Sequence, residues 1–159
     1  MARLNNNLWN RHKFNLSGFV LLFSGYFFYQ SLHPQFPAAL PAQTVGEFTL
    51  APMPFDLNPP YRHDGEFIKN FMVLFREGDL GNIRQAFMNI GPEALPIDQL
   101  QQGDLGLLHG SRYGQHVHAL TQAEIYRQDR LWLSIENWQG EIVQASWAIP
   151  DSWVTNTQN

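Results

Sequence analysis

At 159 residues the chain has room for one ordinary domain and little more. It contains no cysteine, which excludes disulfides, thiolate metal sites, iron–sulfur clusters and cysteine nucleophiles. Three of its ten Lys/Arg precede residue 14, leaving seven cations against fourteen carboxylates over residues 33–159, so the basic excess that nucleic-acid binding requires is absent.

The first element is an apolar run. Residues 14–32, FNLSGFVLLFSGYFFYQSL, carry no charge, and a helix of about 20 residues spans a bilayer core. Gly18 and Gly25 are tolerated in membrane helices, and Tyr26 and Tyr29 suit an interface. Arg3, Arg11 and Lys13 precede the run, and the next cation is Arg62. That asymmetry predicts a cytoplasmic tail over 1–13, a transmembrane helix over 14–32 and everything beyond it outside. Ala38, Ala39 and Ala42 offer the alternative of a cleaved signal, although prolines surround them. Residues 33–44 hold three prolines and no charge, and read as an extended spacer.

From Val45 to Pro150, short apolar runs broken by Gly and Pro predict a mainly β domain, an antiparallel β-sandwich. The expected strands are 45–52, 67–77 and a return strand over 82–91. Residues 53–65 are proline-rich and read as a long loop. Residues 92–102 have room for one or two helical turns, and Thr121-Gln-Ala-Glu has the spacing of a capping box. Lys69, Arg76 and Arg84 read as solvated strand charges, with Arg84 also able to contact an anion or a partner. Two strands, 131–138 and 141–149, flank Gln139-Gly140. A two-residue type I′ turn there sets Trp132 opposite Trp147. Residues 151–159 read as a C-terminal tail.

Chemistry concentrates in residues 108–120, LHGSRYGQHVHAL. Residues i and i+2 of a strand share a face, so His116 and His118 present both imidazoles together. If Ser111-Arg112-Tyr113-Gly114 is a hairpin loop, Gly110 pairs with Gln115 and His109 faces His116. The three rings then converge in a set suited to a divalent transition metal. A solvated polar face or hydrogen-bonded structural histidines would produce the same short H-x-H pattern. His63 and Met53 are extra donors that nothing local brings to the cluster. Arg62, His63 and Asp64 invite an acid–base reading, but Asp64-Gly65 is turn chemistry. Nucleophile-elbow, phosphate-loop and dinucleotide motifs are all missing, so the expectation is a protein without enzymatic activity.

The run from Gly65 to Trp147 carries a wider pattern. It comprises Lys69 and Phe71, Ile83-Arg84 with Ala86, Leu108-His109-Gly110, His116-Val-His118-Ala119, Leu131-Trp132-Leu133, Trp138-Gln-Gly140 and Trp147. With the N-terminal anchor this resembles small single-anchor periplasmic accessory proteins encoded beside PepSY-type membrane reductases and metal-uptake genes of Gram-negative bacteria. The resemblance spans roughly half of the chain. It implies an inner-membrane, non-enzymatic periplasmic accessory subunit in metal or siderophore-iron acquisition or reduction. The helix would dock an integral membrane partner through Ser17, Gly18, Ser24 and Gly25. A periplasmic metal-binding chaperone using His109, His116 and His118 is the alternative.

Overall fold

The computed structural model describes residues 8–111 and 114–155. The chain divides into two units, Met1–Gln35 and Phe36–Asn159. The first contains α1 (Leu8–Leu32), which begins six residues before the expected span. Large side chains such as Phe19, Leu22, Phe23 and Phe27 are exposed along it. Asn15, two glycines, three serines, two tyrosines and Gln30 dilute its apolar character. No helix among the described residues is long and apolar enough to cross a membrane.

The second unit is mainly β. Its strands are β1 (Gln43–Val45), β2 (Phe48–Pro54), β3 (Tyr61–His63), β4 (Glu66–Glu77), β5 (Ile83–Gly91), β6 (Leu108–Ser111), β7 (Gly114–Thr121), β8 (Arg130–Asn137) and β9 (Ile142–Ala148). They form one sheet in the order β1-β2-β4-β7-β5-β8-β9, with β3 added to β4 and β6 to β7. β5 and β7 run parallel and the other pairs antiparallel. The ends of the sheet approach each other, where the Gln43 side chain donates to the Ser146 carbonyl at 3.0 Å. The two-layered antiparallel sandwich expected from the strand spacing is therefore replaced by one mixed sheet, nearly closed into a barrel. Short strands with frequent turns fit both architectures, and the long-range pairing of β7 between β4 and β5 selects this one. It also means that β5 returns against β8 rather than against β4.

The interior is lined by Leu50, Phe71, Met88, Val117, Leu133 and Trp147, all at most 2 % exposed. Burying each such side chain contributes roughly 1.5–3 kcal/mol. Both ends of the domain reach further than expected. Leu40, inside the expected spacer, is buried, and its N–H donates to the Pro52 carbonyl at 2.7 Å. The expected C-terminal tail makes a 3₁₀ turn at Asp151–Trp153, and the Trp153 ring packs 5.4 Å from that of Phe71. Thr155 and Ile125 then exchange two hydrogen bonds.

Several local expectations are corrected. The first strand is broken at Gly46, whose positive φ turns β1 into β2. Pro52 lies in β2 as expected, and Met53 and Pro54, expected in the loop, extend that strand. The two proline nitrogens face away from β4, the side on which Leu40 bonds Pro52, so no ladder donor is lost to β4. Tyr61–His63 is a strand closed by an Asp64-Gly65 turn, with both residues at positive φ. Residues 97–100 form the short helix α2 (Ile97–Leu100), whereas Thr121 ends β7 and caps no helix. Lys69 is buried, not solvated. Its ammonium donates to the Asn58 and Asp56 carbonyls at 2.6 and 3.2 Å. Burial lowers the Lys69 pKa, and the Asp56 charge opposes that shift. Arg84 pairs with Glu136, 2.5 Å away.

The β8–β9 hairpin exists, but its register is one residue off the expected one. Asn137 and Glu141 bracket a three-residue loop with Gly140 at φ +85. Trp147 therefore lies opposite Leu131, and Trp132 opposite Ser146. A slip of one residue exchanges the faces of a strand. Trp147 points into the core and donates to the Pro41 carbonyl, while Trp132 lies half-buried on the other face and donates to the Gly91 carbonyl.

Candidate metal centre

The β6–β7 hairpin builds the site. Gly110 pairs with Gln115 and His109 with His116, the register its sequence predicts. Arg112 and Tyr113, at the tip of the expected loop, lie outside the described residues. Gly110 has φ +140, and a Cβ there would collide with the Gly114 carbonyl and the Gln115 Cα. The close approach of the two strands that brings the rings together thus requires glycine at this position.

His109 and His116 have ring centroids 3.8 Å apart, and His118 lies 5.7 and 6.0 Å from them. One nitrogen from each ring falls within 4.8 Å of the others. Zinc with nitrogen ligands at 2.0–2.1 Å needs separations of about 3.3–3.4 Å, which modest rotations supply. Among the described residues no other set of three histidine or carboxylate donors gathers this closely.

Neighbouring groups set two tautomers. His109 Nδ1 lies 3.0 Å from the Leu107 carbonyl, which can only accept. His118 Nδ1 lies 2.7 Å from Asn70 Oδ1, and the Asn70 amide in turn donates to the Tyr61 hydroxyl at 2.9 Å. Both Nδ1 atoms therefore carry the proton, which leaves the Nε2 lone pairs for an ion. His116 is half-buried, and burial followed by the neighbouring His109 lowers its pKa. Burial also lowers that of His118, with His109, His116 and His63 adding to the effect. Both shifts keep the rings neutral, as metal ligation requires.

Of the two extra donors, the tertiary fold brings His63 close to the cluster and leaves Met53 two strands away. The β3 turn carries the His63 ring to 5.8 Å from His118, with its Nε2 3.4 Å from the Asp64 carboxylate. His63 remains outside the three-residue cluster itself. Met53 lies opposite Met72, which lies opposite His116. Asn70 and Tyr61 had no signal in the sequence, because only the pairing of β4 with β7 and β3 sets them beside His118.

No curated protein and no solved structure matches the chain. A family profile described as "Uncharacterised conserved protein UCP029505" matches residues 8–150.

Proposed function

The chain belongs to the UCP029505 family, and we propose that it is a metal-binding protein without enzymatic activity, taking a divalent transition metal on His109, His116 and His118. The observation that carries this reading is the convergence of three imidazole nitrogens within 4.8 Å. The hydrogen bonds to Leu107 and Asn70 support it, since they orient two of the rings as ligands. Calorimetric titration of the full chain with Zn, Cu(II) and Ni tests it. Saturable binding of one ion per chain is expected, and flat titrations at neutral pH would overturn it.

The pH dependence follows from the lowered pKa values of His116 and His118. Their protons compete with the metal only below the ordinary histidine value of about 6.5. Affinity is full above that value and falls as pH drops through the lowered values. The same shifts destabilise the metal-free fold in acid, because below about 6.5 the unfolded chain binds more protons than the native one. Zinc affinity measured between pH 5 and 8 checks the first statement. A loss already complete at pH 7 would contradict it.

In this proposal the protein works at the bacterial inner membrane, as an accessory to a metal or siderophore-iron acquisition or reduction system. Its N-terminus is cytoplasmic, its domain periplasmic, and an integral membrane protein is its partner. The 19 uncharged residues of α1 and the preceding cations support this reading. So do the hydroxyls of Ser17, Ser24 and Ser31, which donate to α1's own carbonyls and thereby shed the cost of exposure to lipid. The full chain is expected in the membrane fraction, with its C-terminal domain digested by protease added to spheroplasts. A soluble mature protein beginning at Gln43 would show a cleaved signal instead.

A further inference from the structure

The strand register draws a line of donors longer than the histidine cluster. Met53 on β2 is opposite Met72 on β4, Met72 is opposite His116 on β7, and His116 is opposite His109 on β6. Opposed residues of antiparallel strands share a face, with Cα atoms about 4.5–5.5 Å apart. The four side chains therefore form one row across four strands, Met-Met-His-His. Asn70, two residues before Met72, bonds His118 on this same face. Met53 and Met72 are half-buried there, whereas Met88 is fully buried in the core.

Thioether sulfur is a soft ligand that selects Cu(I), and imidazole also accepts copper. Methionine has three rotatable bonds, enough to swing its sulfur over an adjacent ring. Resting on the metal-binding reading, we propose that the site takes Cu(I), with the Met72 thioether joining the imidazoles of His116 and His118. Met53 is the next sulfur along the row. A thioether needs no deprotonation, so this ligand set discriminates copper from zinc by softness rather than by charge.

Leucine fills the space of methionine at little cost but offers no sulfur. The test compares the full-length wild type with Met72→Leu and His116→Ala. Cu(I) affinity is read by competition with bicinchoninate, and zinc affinity by calorimetry. Met72→Leu is expected to lower the ratio of Cu(I) to zinc affinity by about 10-fold or more, since even groups outside the ligand shell cost 10–100-fold when altered. X-ray absorption of the Cu(I)-loaded wild type is expected to contain a sulfur scatterer that Met72→Leu removes. An unchanged affinity ratio, or a wild-type copper shell of nitrogen alone, overturns the Cu(I) assignment. The histidine site itself would then stand on its zinc binding. If wild type binds neither ion, both readings fall.

Discussion

Replacing His116 with Ala is expected to weaken metal binding by about 100-fold or more while leaving the fold intact. Altering groups outside the ligand shell already costs 10–100-fold in affinity, and in the proposed site His116 is the central donor. It lies opposite His109 on the neighbouring strand and two residues from His118 on its own. Without it, the two remaining rings have centroids 5.7 Å apart and no third nitrogen between them. The ring is half-buried on the outer face of the sheet, so its loss should change stability by only about 0.5–1 kcal/mol. Calorimetry reads the binding and urea denaturation the stability. Retained affinity would remove His116 from the site, and a collapsed fold would make it a structural residue.

Trp147→Ala is expected to cost about 3–5 kcal/mol, the range for a large aromatic removed from a core. Trp147 is 2 % exposed, and its indole N–H donates to the Pro41 carbonyl at 2.7 Å. Truncation opens a cavity and also releases the segment that precedes β1. Trp132→Ala should cost less, about 1–3 kcal/mol, because that ring lies half-buried on the other face. It would lose a hydrogen bond to Gly91 and its contact with the Arg130 guanidinium. Urea denaturation of the two variants compares them directly. Equal losses would mean that both rings share the core, and a larger loss at Trp132 would invert the register.

Closeness in sequence decided which features were legible. Along β6 and β7 the loop is short, Gly110 marks the close approach, and alternation puts His116 and His118 on one face. The pairing of His109 with His116 needed only that this segment close as a hairpin with Gly110 opposite Gln115, as it does. The β8–β9 hairpin shows where local information runs out. Gly140 marks the turn equally well for a two- and a three-residue loop, and only the burial of Leu131, Leu133, Ile135 and Trp147 on one face chooses between them. The helix over 14–32 is likewise written in its uncharged run, whereas its extension back to Leu8 is not, and its polar residues leave its mean hydropathy short of a membrane span.

The remaining features depend on contacts between distant residues. The amino-acid sequence determined a mainly β domain, most of its strand segments and a histidine hairpin, because these arise from alternation and turn chemistry within a few residues. The tertiary structure decided that β7 lies between β4 and β5, and hence that Asn70 orients His118, that Met72 stands beside His116, and that His63 approaches from the β3 turn. It also decided that Lys69 is buried, because the carbonyls that satisfy its ammonium belong to residues 56 and 58 on a separate segment. Strand order is chosen by apolar burial summed over the whole sheet, a quantity that no short stretch of sequence contains.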